Sequence, residues 1–200
     1  MLFQKDFIVF IALLGFSLGC SAQRVSLPKW HAVQESHWAL GLDYIAIDDS
    51  GRFLNDPFNV EEHWQLRPYP SRLSLSRKTR KNLSYHVLAS YSVYTQGKIV
   101  DGQQLGENRN YWSLDVNTNF HLSNSLGWDH FFDPYLGLGA GFSHANKQNQ
   151  ITLNAWAGAL FWVADRWAIH LSSMAKFSMA EEGSNHLVHS AGLVYRFSIE

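Results

Sequence analysis

Residues 110–123, NYWSLDVNTNFHLS, alternate without a break. Trp112, Leu114, Val116, Thr118, Phe120 and Leu122 fall on one side of an extended chain, and Ser113, Asp115, Asn117, Asn119 and His121 on the other. Successive side chains of a strand point to opposite faces, so this stretch is a strand with one apolar and one polar face. Its reading turns on which of the two meets water.

The same pattern recurs. Working outward from 110–123, strand-like segments appear at about 38–47, 64–77, 84–94, 134–143, 151–163, 167–178 and 187–197, which makes eight in all. The second is interrupted by Pro68 and Pro70, where a bulge is expected. No apolar run reaches the roughly 18 residues that a membrane-spanning helix needs. Eight strands of this length predict an all-β fold, an eight-stranded antiparallel up-and-down barrel occupying residues 37–200.

The breaks between segments add a second signal. Those at 48–63, 95–109, 144–150 and 180–186 are read as loops at one end of the barrel, and those at 78–83, 123–133 and 164–166 as turns at the other. Long loops on one side and shorter turns on the other are the habit of barrels that cross an outer membrane.

Bulk composition agrees with an unusual surface. The 200 residues carry a net charge of −1 and are 46% hydrophobic, which excludes a disordered chain or a nucleic-acid coat. Aromatic residues reach 14% and charged ones only 16%. Residues 1–22 read as a secretory signal peptide: Lys5, an apolar run over 7–16, then small residues up to Cys20-Ser21-Ala22. Cleavage after Ala22 is the preferred reading, with lipidation of Cys20 as the competing one. Cys20 is the sole cysteine, so cleavage after Ala22 leaves a mature chain without thiols, and with neither disulfides nor Cys-based chemistry. A short polar segment, 23–36, precedes the barrel.

Periodicity alone leaves two barrels open: a soluble one with an apolar core, such as a lipocalin-like ligand carrier, and a membrane barrel with the faces exchanged. Aromatic placement and charge decide between them. Trp38, Tyr44, Tyr85, Trp112, Phe120, Phe142, Phe161, Trp167, Phe177, Tyr195 and Phe197 share the apolar face, many near strand ends, as interfacial girdles do. The other face carries Asp43, Asp115, Lys176 and Arg196 among Gly, Ser and Asn. A Lys or Arg facing lipid at mid-membrane costs about 2–4 kcal/mol, and only one parity keeps all four charges off the lipid. The expectation is therefore a transmembrane barrel. Its lumen holds a polar network of Asp43, Asp115, Lys176 and Arg196, read as a static plug in preference to a gated ion path.

The signal ending CSAQ, the eight alternating strands and the ending HLVHSAGLVYRF (186–197) together resemble the small OmpA-type outer-membrane β-barrel proteins of Gram-negative bacteria, over residues 38–197. That resemblance implies outer-membrane localisation, contact with outer-membrane lipid and lipopolysaccharide, and recognition by the barrel-assembly machinery. In the family a terminal aromatic residue serves as the assembly signal, a role that falls here to Tyr195 and Phe197, with Ser198, Ile199 and Glu200 following. It implies a structural, adhesive or weakly porin-like protein without catalysis, cofactor or nucleic-acid partner. Phe53, Phe58 and Trp64 are the loop residues placed to meet a partner or to pack on the rim.

Two further readings stand beside it. His170-Leu171-Ser172, with Glu181 or Glu182, resembles the His-x-Ser pair and distant Glu of lipid A deacylase barrels, although Ser173 stands where that family has Asn, and the parity turns His170 and Ser172 inward. His144, His186 and His189 invite a metal, but no HExxH occurs, and His186 and His189 point to opposite faces. No Gly-rich nucleotide motif is present.

Overall fold

The computed structural model describes residues 36–51, 59–79, 82–126, 131–180 and 183–197. The signal-peptide segment, most of the polar segment 23–36, Phe53, Phe58, Glu181, Glu182 and the last three residues lie outside them. The described elements are β1 (His37–Asp48), β2 (Trp64–Leu66), β3 (Arg72–Lys78), β4 (Leu83–Tyr94), β5 (Ile99–Val100), β6 (Gln103–Gln104), β7 (Arg109–His121), one helical turn α1 (Ser123–Leu126), β8 (Phe132–Ala145), β9 (Gln148–Trp162), β10 (Trp167–Ser178) and β11 (His186–Phe197).

The long strands pair antiparallel in chain order, and β11 returns to pair with β1 from Trp38↔Phe197 to Asp48↔Leu187. β2 and β3 share one place beside β1, so the closed sheet has eight positions. Between them Pro68 and Pro70 remove two donors and the ladder breaks, as expected. Ser71 resumes it, donating its amide to Asp43 O at 2.9 Å and accepting from Tyr91 N at 2.9 Å.

Closure imposes a stagger. From Asp43, one path of register partners runs through Gly192, His170 and Leu160 to Asp133 of β8. The other runs through Arg72, Ser90 and Ser113 to Ser143 of β8, ten residues further along the same strand. A stagger of this kind tilts strands by typically 35–45° in a barrel just wide enough to be filled by side chains.

The faces divide as the alternation predicts. Along β7 every residue from Tyr111 to His121 alternates buried and exposed, with Ser113, Asp115, Asn117, Asn119 and His121 inside and Trp112, Leu114, Val116 and Phe120 outside. Leu42, Leu73, Leu138 and Ile151 face outward around the rest of the circumference, Leu138 at 72% exposure. Asp43 and Asp115 are 0% exposed and Lys176 1%.

The connections depart from the expected alternation. The break read as a loop over 144–150 is a two-residue turn, Asn146-Lys147, with φ of 49° and 68°. Two left-handed residues match the right-handed twist of a hairpin, so β8 and β9 simply run on. The turn expected over 123–133 begins with α1 just after β7 and ends before Phe132, where β8 starts. Residues 95–108 are not an open loop either: they fold into the β5–β6 hairpin, which caps the barrel mouth.

Candidate functional site

The site is the lumen, built first by β7. Its polar row faces a row of glycines on β8: Asp115↔Gly141, Asn117↔Gly139 and Asn119↔Gly137 are register partners. A Cβ at any of these glycines would fall on the facing side-chain oxygen. The glycines are therefore the space that lets Asp115, Asn117 and Asn119 reach across the barrel.

Asp115 takes the centre. Lys176 Nζ donates to both its carboxylate oxygens, at 2.7 and 2.9 Å, Ser113 Oγ donates at 2.9 Å and Asn154 Nδ2 at 2.9 Å. Asn154 Nδ2 also reaches Asn117 Oδ1 at 3.2 Å, and Thr152 Oγ1 donates to Asn154 Oδ1 at 3.0 Å. A pair of opposite charges this deep is tolerated because its remaining hydrogen-bonding capacity is met.

Towards the turn end follow two more polar layers. Asp43 Oδ1 shares a hydrogen bond with His170 Nδ1 at 2.8 Å, and His170 Nε2 with Tyr135 OH at 2.6 Å. Below, Asp133 accepts from Lys78 Nζ at 2.8 Å and from Ser123 Oγ at 2.7 Å, and is bonded to His121 Nδ1 at 2.9 Å. Ser84 Oγ then links His121 Nε2 at 2.7 Å to His86 Nε2 at 2.8 Å. Two apolar clusters pack with these networks: Leu88, Tyr135, Trp156 and Met174 midway, where Tyr135 and Trp156 lie against the rings of His86 and His170, and Ala39, Trp162, Ala168 and Val194 at the turn end. The cavity left among His37, Lys78, His86, His121, Trp156 and His170 is about 30 Å³, space for about two waters and too little for an organic ligand.

The loop end is closed by Ile45, Ile47, Tyr94, Tyr111, Ala145 and Val188 from the strands together with Val100 and Leu105 of the hairpin. Tyr94 OH donates to Asp49 Oδ2 at 2.7 Å, and Asp101 N donates to Asp49 O at 2.6 Å. Asp49 itself is fully buried just past β1.

Of the four charges expected in the lumen, Asp43, Asp115 and Lys176 lie deep inside, in two separate networks. Arg196 stands further out, at the end of β11. It is the penultimate residue of β11, half-buried at the turn-end rim, where its Nε donates to the Asp165 carbonyl and its guanidinium lies 5.0 Å over Trp162. Arg72, Lys78 and Asp133, all at most 4% exposed, are interior charges that the sequence reading left out. Arg72 and Lys78 share the inward parity of Ser74 and Ser76 and were legible from it; Asp133 was hidden because β8 begins earlier than its pattern.

Tyr195 and Phe197 are on the outer side of β11, Tyr195 4.8 Å from the Trp167 ring and Phe197 opposite Trp38. His170 and Ser172 face inward; Ser172 Oγ is bonded to Ser190 Oγ at 2.6 Å, while His170 bonds Asp43 and Tyr135. His186 is inside against Tyr111, His144 stacks on Trp112 at the rim, and His189 stacks on Trp64 at 4.7 Å. Among the described residues no group of three or more His, Cys, Asp or Glu is arranged to hold a metal ion.

The sequence matches no family model and no curated protein. Its structure is similar to the N-terminal β-barrel domain of Pseudomonas aeruginosa OprF, with TM-score 0.53 and 7% identity over 82% of this chain and 100% of that one. It is similar also to the outer membrane protein OprG from Pseudomonas aeruginosa, with TM-score 0.52 and 11% identity over 82% and 96%. Neisserial surface protein A gives TM-score 0.51 and 11% identity over 81% and 97%. At such identities the likeness is one of architecture: this chain folds as a closed eight-stranded antiparallel barrel of the kind solved for outer-membrane proteins.

Proposed function

We propose that this chain is an integral outer-membrane protein of the small OmpA-type class, exported by its leader, and a closed barrel whose role is structural or adhesive. One observation carries the reading. Apolar side chains are exposed all round the barrel, while Asp43, Asp115, Lys176, Arg72 and Asp133 are sequestered inside it. In water that arrangement discards the hydrophobic effect and buries charges at a cost; in lipid both terms change sign. The aromatic residues at the two ends of the belt, Trp38, Tyr195 and Trp167 at one and Trp112 and Phe142 at the other, support an interfacial position.

A stable conducting path is disfavoured by the layered lumen and its capped mouth, so porin-like flux is the lesser part of the proposal. The same outward apolar face and the 30 Å³ cavity weigh against a soluble ligand carrier. The inward His170 and Ser172 weigh against lipid deacylation by that pair. Outer-membrane lipid, lipopolysaccharide and the barrel-assembly machinery are the partners this reading requires, the last through Tyr195 and Phe197.

The test is electrophoretic. The chain without residues 1–22, refolded in detergent, is expected to migrate faster unboiled than boiled, because a closed barrel resists the detergent. Solubility without detergent and a single unshifted band would sink the membrane reading.

A further inference from the structure

Asp49 is a carboxylate where none is needed for the barrel: fully buried, outside the strands, and at the junction of three loops. Its Oδ2 accepts from Tyr94 OH at 2.7 Å, while its Oδ1 is buried without a hydrogen-bond partner among the described residues. Its backbone carbonyl accepts from Asp101 N at 2.6 Å, and Ser50 O accepts from Gly102 N at 3.1 Å. Asp101 and Gly102 hold positive φ, 50° and 73°, to make this approach, and the hairpin they turn buries Val100 and Leu105 in the mouth. Ile99 N donates to Glu62 O at 3.1 Å, which ties the hairpin to the first loop as well.

The groups facing Asp49 come from every element around it. Asp48 adjoins it on its own strand, Asp101 comes from the hairpin, Ser184 from the last loop and Tyr94 from β4, with Tyr111 behind Tyr94. The charges that reach it are those of Asp101 and Asp48, both acidic.

We propose that Asp49 is a protonation-controlled latch: with its carboxyl neutral, segments 48–51 and 95–108 stay closed over the barrel mouth, and its ionisation releases them. Burial, ahead of the opposing bond from Tyr94, pushes this carboxyl up to about 7. An opened cap returns it to the usual carboxylate range, so the closed form binds the extra proton. Stability of the cap is then greatest below about pH 4, falls between pH 4 and 7, and levels off above 7 at its lowest value. The latch keeps the loop surface shut in mildly acidic surroundings and looser in alkaline ones.

Amide exchange in the detergent-refolded barrel tests this, read at Ile99, Asp101, Gly102 and Leu105 after correction for intrinsic rates. Protection at these amides is expected to fall about tenfold from pH 6 to pH 8.5, and Asp49→Asn to be flat across the range. Tyr94→Phe, which removes a donor to the ionised form, should move the midpoint to higher pH; a merely structural Tyr94 would leave it in place. Flat protection in the native chain, the same step surviving in Asp49→Asn, or an unmoved midpoint in Tyr94→Phe each overturn the latch. Should Asp49→Asn not fold, the Tyr94→Phe midpoint decides alone.

Discussion

Leu138→Arg separates a lipid-facing belt from a water-facing one. Leu138 is the seventh of the fourteen residues of β8, points outward and is 72% exposed, with register partners Thr118 and Ala155 on either side. On a protein surface in water, such a change stays within about 0.5 kcal/mol. At the midplane of a bilayer, the same guanidinium costs about 2–4 kcal/mol, falling to about 0–1 kcal/mol near the interface. Ile151, the fourth residue of β9 and 58% exposed, lies near the loop-end rim and supplies the control. Folding into vesicles across a urea series, read by the gel shift of the folded form, should show Leu138→Arg weakened by about 3 kcal/mol, over a hundredfold in the folding equilibrium. Ile151→Arg should lose about 1 kcal/mol or less. Equal and negligible losses at both positions would refute the reasoning, because only water treats the two depths alike.

The interior makes its own demands. Lys176→Met leaves Asp115 charged and unpaired in the lumen and should cost about 3–5 kcal/mol, while the double variant Asp115→Asn, Lys176→Met should recover most of it; denaturant midpoints of the two variants and the native chain check this. Gly139→Ala places a Cβ against Asn117 Oδ1 and the Val116 carbonyl and should cost about 1–3 kcal/mol in the same assay, whereas Ala140→Gly beside it, facing outward, should cost less. In planar bilayers the intact barrel should show no sustained steps of current; large, stable openings would mean that the stacked lumen layers come apart in the membrane.

How far the sequence carries the fold depends on range. Strand parity is a local property: a period of two follows from the extended backbone itself, so 110–123 declares its faces without reference to any other residue. The inside placement of Asp43, Asp115 and Lys176 was legible for the same reason. Composition carries the proposed choice of lipid as solvent, since a sheet with its aromatics and leucines on one side and its few charges on the other would have only one low-energy orientation there.

Other features belong to the closed structure. Arg196 has the inward parity and stands one residue from the end of β11; its neighbours there, the Asp165 carbonyl and the Trp162 ring, belong to β9 and the turn after it and are set by the ten-residue stagger that exists only once β11 meets β1. Asp133 pairs with Lys78 across fifty-five residues of chain, and Asp49 with Tyr94 across forty-five. The tight Asn146-Lys147 turn looked like a loop because its polar residues are compatible with either, and only the continued β8–β9 ladder distinguishes them. Alternation along each strand, and with it the inside and the outside, was thus written in the sequence; which buried charges meet, and which loops fold back to seal the mouth, was decided by closure, because those contacts join residues that only the completed barrel brings within a few ångströms.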